Sequence, residues 1–194
     1  EYGSGHCVTG CVATAMAQII RYHEYPRHGY TSHTYVHPEY GALSANLEDA
    51  EYEYENMPTR VNAYSSADYQ NAVSLLCYHC GVAVDMTYEY KYHTTGSGAV
   101  SSTVPTGLKY FGYTNSFYLA KSPQRQAEWD SLLHHDLDNG LPVYYSGSND
   151  EGGHAFVCDG YDDDNNYHFN FGWGNNADGF YSLSSVNGFS SGQA

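Results

Sequence analysis

The sequence predicts an α+β fold, with a helix of the N-terminal part packed beside a C-terminal antiparallel sheet. Three observations carry that expectation. Residues 11 to 23 place Val12, Ala15, Met16, Ile19, Ile20 and His23 at helical spacing. Residues 124 to 139 repeat the pattern with Trp129, Leu132, Leu133 and Leu137 on one face. After Gly140 the text changes to short apolar runs separated by Gly, Asn and Asp, which read as strands joined by tight turns. A length of 194 residues with 41% hydrophobic residues suits one domain with one substantial core. Within residues 1–194 the change of character near 140 separates a mainly helical subdomain from a β-rich one at about 141–194.

Taken in order, the first helix runs from Cys11 and is stopped by Pro26. Residues 27 to 60 are rich in Tyr, His and Gly with weak periodicity, and read as short strands and loops. Ser65 or Ser66 can cap a second helix that starts near Ala67. Its apolar face is expected to be Tyr69, Val73, Leu76 and Cys80, with Gly81 as its stop. Val82 to Tyr90 alternates loosely, as a strand or an extended loop, and Thr94 to Ala99 is a loop of small residues that a ligand could approach closely. A short helix from about Ser102 to Tyr110 tolerates Pro105 and Gly107, and the helix from Gln124 ends at Gly140. The strands expected after it are Pro142 to Gly147, His154 to Tyr161, Tyr167 to Phe171 and Gly179 to Leu183, an antiparallel meander.

Charge narrows the partners. Against 22 acidic residues stand 7 basic ones, a net charge of −15, which argues against nucleic acid or an anionic membrane surface. No stretch approaches the roughly 20 apolar residues that cross a bilayer. The 22 tyrosines suit half-buried strands and binding surfaces without identifying a ligand. The chain opens at Glu1 with no signal-like segment and closes on small polar residues, as expected of a processed form or a fragment.

The chemistry centres on Cys11, which follows Gly10 at the start of the first helix. A thiol there meets unpaired backbone N–H groups and the positive end of the helix dipole, and both favour the nucleophilic thiolate. Far along the chain Gly152-Gly153-His154 opens an apolar strand, and Asn170 follows sixteen residues after His154. Cys, then His, then Asn is the chain order of a papain-type thiol protease. In that reading His154 takes the thiol proton, Asn170 bonds the second ring nitrogen, and the Cys11 backbone N–H meets the oxyanion. Each piece also has a plainer reading: a core cysteine, a turn before a satisfied histidine, a strand end with an aromatic anchor. Cys77 and Cys80 could be a disulfide, half a zinc site or two core thiols. No second Cys or His pair completes a zinc site, and Asp162 to Asp164 lack the spacing of a calcium loop, so no metal and no cofactor is expected.

Longer motifs resemble the streptopain family of secreted bacterial cysteine peptidases. They are Thr9-Gly10-Cys11-Val12-Ala13-Thr14-Ala15-Met16-Ala17-Gln18-Ile19 with Tyr22-His23-Glu24-Tyr25-Pro26, Gly81-Val82-Ala83-Val84-Asp85-Met86, and Gly96-Ser97-Gly98. They continue with Pro142-Val143-Tyr144-Tyr145, Gly152 to Gly160, and Tyr167-His168-Phe169-Asn170-Phe171-Gly172-Trp173-Gly174. The resemblance implies a papain-like fold and a secreted endopeptidase acting on protein or peptide substrates. It implies a nucleophile in Cys11, a base in His154 and substrate contacts from Ser97, Gly153, Ser146 and Trp173, with Asn170 in the segment flanking the histidine. It also implies a propeptide that blocks the cleft. The chain departs from the family pattern at Gly5 and Ser146, where glutamines are usual, and at Phe171, where a tryptophan is usual. A catalytically weakened homologue that acts by binding is the alternative.

Overall fold

The structure, a computed structural model, describes residues 7–90, 96–122 and 126–189, with side chains from 128 onward in the last segment. The chain divides into two compact units, Glu1–Phe117 and Tyr118–Ala194.

In the first unit, α1 spans Cys11–His23 and buries Val12, Ala13, Ala15, Met16, Ala17 and Ile20; of the expected stripe, Ile19 and His23 are only half-buried. It ends before Pro26, where Glu24 turns left-handed (φ 47°) and its N–H bonds the Arg21 carbonyl. The next region holds an antiparallel hairpin, β1 (Ser32–His37) with β2 (Gly41–Asn46), and a 3-10 turn at Tyr54–Asn56. Helix α2 spans Ala67–Ala83, and Ser66 caps it by accepting the Tyr69 N–H. Gly81 does not stop α2. It lies inside the helix, and a Cβ there would collide with the Tyr88 hydroxyl, so the close approach of Tyr88 accounts for the glycine. The buried face also differs from the expected one: Ala72, Leu76, His79, Cys80, Val82 and Ala83 are inside, whereas Tyr69 is exposed. Tyr52 reaches the buried His79 Nδ1 at 2.8 Å, which makes that imidazole compatible with a core position.

After α2 the chain makes isolated bridges, Cys7 with Tyr90 and Thr87 with Gly98, in place of a continuous strand. A 3-10 turn at Ser101–Thr103 leads into α3 (Val104–Tyr110), with Pro105 in its first turn, where a missing N–H costs little. Gly107 packs onto the end of α2, since a Cβ would sit 2.9 Å from the Ala83 carbonyl oxygen.

The second unit begins at Tyr118, earlier than the change of character near 140 suggested. The reason is packing. Helix α4 (Gln126–Asp138) buries Trp129 and Leu133 in the same core as Tyr145, Phe156, Cys158, Tyr167 and Phe169 of the sheet. Leu137 packs against that core, while Leu132 is at the exposed margin. The sheet is the expected antiparallel meander: β3 (Val143–Asn149), β4 (Gly152–Tyr161), β5 (Tyr167–Asn170) and β6 (Gly179–Tyr181) in order. A bulge between Cys158 and Gly160 shifts the β4–β5 register. None of the helices among the described residues is long and apolar enough to cross a membrane.

Candidate active site

The first unit supplies the thiol. Gly10 stands at φ 88° immediately before α1, and its carbonyl accepts both the Thr14 N–H at 3.1 Å and the Thr14 hydroxyl at 3.0 Å. A Cβ on Gly10 would lie 2.9 Å from the Met86 sulfur and 3.1 Å from the Ser97 carbonyl oxygen. Glycine is therefore required twice, by conformation and by space. Cys11 is the first helical residue, half-buried, and no acidic side chain occupies the first turn to offset the helix dipole.

Ser97 lies against this turn, and its hydroxyl is occupied. It accepts the Glu89 N–H at 2.9 Å and donates to the Glu89 carbonyl at 3.4 Å, and the residue is buried. Thr87 and Gly98 exchange both backbone hydrogen bonds, and Val8 donates to the Glu89 carbonyl. Ser97 thus ties together the strands of backbone beside Cys11. Gly96 and Gly98 have nothing within 4 Å of a would-be Cβ, so the open surface there is backbone. Gly5 lies outside the described residues.

The second unit supplies the imidazole. His154 sits near the start of β4 opposite Gly147, and its Nε2 is 2.9 Å from the Phe171 carbonyl oxygen. A carbonyl only accepts, so Nε2 carries the hydrogen and, in the neutral ring, Nδ1 carries the lone pair. Burial lowers the His154 pKa from its ordinary value, and the Phe171 carbonyl opposes that shift. The ring stacks on Trp173 at 4.5 Å between centroids and lies among Phe156, Phe171 and Phe189. Gly152 is left-handed (φ 140°) with open space at its Cβ position, and Gly153 would meet only the Gly147 carbonyl oxygen, at 3.8 Å. The backbone beside the imidazole is therefore open at Gly152 and Gly153.

Two assignments change here. Nε2 bonds a backbone carbonyl, not the Asn170 amide. Asn170 pairs with Val157, and Val157 and His154 leave β4 on opposite faces, while the Asn170 oxygen accepts the Gly172 N–H at 2.9 Å. Ser146 pairs with Ala155, which puts its buried side chain on the face away from His154. Trp173 is exposed and packs on the imidazole. Sequence reasoning missed Asp178, whose carboxylate accepts the Phe171 N–H at 2.8 Å and so fixes the peptide next to the one that holds Nε2. Nothing in the linear pattern marks it, because a run of left-handed residues (Gly172, Gly174, Asn175, Ala177) brings it there. Phe189 was also missed, although Asn187-Gly188 before it is a readable turn signal.

All five cysteines are unpaired. Burial pushes the Cys77 and Cys158 thiols up to about 12, and the Cys80 thiol up as well. Raised values disfavour the thiolate, and Cys80 and Cys158 are buried while Cys77 is half-buried on α2.

The family model for the peptidase C10 family matches residues 1–181. The chain belongs to the peptidase C10 family. Streptopain of Streptococcus pyogenes serotype M28 is 36% identical across 94% of this chain, and the match covers 47% of that protein. The chain thus spans about half the length of the streptopain it matches. The thiol protease/hemagglutinin PrtT of Porphyromonas gingivalis is 33% identical across 92% of the chain and 21% of its own length. Among solved structures, active wild-type interpain A cysteine protease of Prevotella intermedia superposes with a TM-score of 0.91 at 33% identity, covering all of this chain and 84% of that one. A prointerpain A fragment from the same organism gives 0.87, with 64% of that chain covered. The α+β, papain-like fold expected from the sequence is the fold of these C10 relatives.

Proposed function

We propose that the chain is the catalytic part of a secreted bacterial cysteine endopeptidase that hydrolyses proteins or peptides through an acyl-enzyme. The observation that carries the reading is the hydrogen bond from His154 Nε2 to the Phe171 carbonyl, which leaves Nδ1 as the basic nitrogen of the neutral ring. A neutral imidazole lowered in pKa by burial is unprotonated near pH 7 and ready to accept a proton.

In the proposed reaction the Cys11 thiol proton passes to His154 Nδ1, and the thiolate attacks the scissile carbonyl. The Cys11 backbone N–H, at the start of α1, meets the oxyanion. Collapse of the tetrahedral intermediate breaks the C–N bond, and the imidazolium returns its proton to the departing amine. A water then loses a proton to Nδ1 and attacks the thioester; the acid product leaves and the thiol is restored. In the first unit the backbone at Gly96 and Gly98 is free of side chains, as is that at Gly152 and Gly153 in the second, which is consistent with main-chain contacts to a polypeptide. In keeping with the prointerpain relative, a propeptide covering the cleft belongs to the same proposal.

Brief exposure to iodoacetamide followed by peptide mapping tests it. Cys11 is expected to label first, with Cys77, Cys80 and Cys158 slow, and His154→Ala is expected to slow Cys11. Casein hydrolysis is expected from the wild type and absent from Cys11→Ala. Equal, slow labelling of several cysteines would sink the peptidase reading, and fast labelling without hydrolysis would leave a binding relic.

A further inference from the structure

The four rings around His154 do not reach it by the same route. Phe156 lies two residues on along β4, and Phe171 and Trp173 follow β5. Phe189 comes from beyond the sheet. Val186 and Phe189 bridge each other, with the Phe189 N–H on the Val186 carbonyl at 2.9 Å and the Val186 N–H on the Phe189 carbonyl at 3.3 Å. Between them Asn187 (φ 49°) and Gly188 (φ 83°) are both left-handed, the backbone of a type I′ turn that Asn-Gly favours. A Cβ on Gly188 would meet nothing within 4 Å, so conformation alone selects glycine there. The turn folds Phe189 back so that its ring stands 5.9 Å from His154, 5.8 Å from Phe156 and 6.2 Å from Phe171.

We propose that Phe189, delivered by the Asn187-Gly188 turn, is a positioning residue that holds the His154 imidazole with Nε2 on the Phe171 carbonyl and Nδ1 presented for proton transfer. The proposal rests on His154 being the base. A ring anchored at Cβ and at one nitrogen can still swing unless its sides are packed. Trp173, on one side, is exposed, whereas Phe189 is buried in the core with Val186. Removing Phe189 opens space beside both the imidazole and Phe171, whose carbonyl is its partner. Water entering there weakens the burial that lowers the His154 pKa. The groups packed on the ring from β4, the segment after β5 and the C-terminal turn are aromatic; the carboxylate in this network is Asp178, on the Phe171 N–H.

The test uses two readouts. In a Cys11→Ala background, the His154 ring protons are followed by NMR as pH is changed. In the active chain, kcat, KM and their pH profiles are measured. Phe189→Ala is expected to move the His154 midpoint up toward its ordinary value and to lower kcat about ten- to a hundredfold, the scale of a misplaced catalytic group, with KM changed far less. Gly188→Ala keeps the ring but strains the turn, and is expected to move both readouts in the same direction by less. Leu133→Ala removes apolar bulk from the same core away from the imidazole and is expected to leave the midpoint in place. An unchanged midpoint and kcat in folded Phe189→Ala would overturn the proposal, and so would an equal shift in Leu133→Ala. Absence of hydrolysis by the wild type would refute the peptidase reading instead, while the NMR titration would still report whether Phe189 sets the imidazole.

Discussion

Gly10 shows at one residue how tightly the thiol is placed. Its φ of 88° with ψ 142° is a backbone conformation that side-chain-bearing residues adopt rarely, at a cost of about 1–3 kcal/mol. A methyl group there would also press on the Met86 sulfur and the Ser97 carbonyl, both of which belong to the frame around Cys11. Gly10→Ala is therefore expected to lower kcat/KM at least about tenfold, since small displacements of a nucleophile are costly. Activity assays on the folded variant check this, and wild-type kcat/KM would show that the turn can relax. His154 makes a different point at the same scale. Its partner is a main-chain carbonyl, so no side chain in the sequence could have named it.

Helix α2 shows what periodicity conveys about an element and what it omits. Its existence, its Ser66 cap and the inward Leu76 and Cys80 were legible, because an apolar stripe at helical spacing has to be buried. Its end was not. Gly81 reads as a stop by composition, yet it is an inward position shaped for the Tyr88 ring. A stop and a close approach call for the same residue, and only the neighbour tells them apart. Gly81→Ala is expected to destabilise the chain by about 1–3 kcal/mol, the range of overpacked cores, despite the better helix propensity of alanine. Denaturant melts check it; a stabilised variant would restore Gly81 to the role of a simple helix breaker. In the meander, strand order and turns were legible for a related reason. Each short apolar run is bounded by turn residues, which leaves antiparallel neighbours as the simple connection.

At the scale of the whole molecule, buried neutral histidines set an acid limit on stability. His154 and His79 both have pKa values lowered by burial, and so does His23. Each binds its proton more weakly folded than unfolded, so stability rises with pH through this range. The contribution is complete above about 6.5, the unfolded value, and is lost as pH falls through the lower folded value. The thermal midpoint of Cys11→Ala, which avoids self-digestion, is expected to fall between pH 7.5 and pH 5. Protonation also reduces the net charge of −15, which relieves self-repulsion, so the comparison belongs at high salt, where that effect is screened. A flat or rising midpoint would contradict neutral burial of these rings.

The sequence by itself determined the α+β class, the helix that begins at Cys11, the meander that carries His154, and the pairing of nucleophile and base as a hypothesis. These follow from spacing and from residue types whose chemistry is local. Tertiary structure decided which groups surround those two residues. It placed the Phe171 carbonyl on Nε2, put Asn170 and Ser146 on the other face of the sheet, occupied the Ser97 hydroxyl, and brought Asp178 and Phe189 to the base. Alternation along a strand assigns faces only once the register is known, and a backbone carbonyl acquires a role only when a loop aims it. For that reason the reactive residues could be read from the chain, while the groups that hold them required the fold.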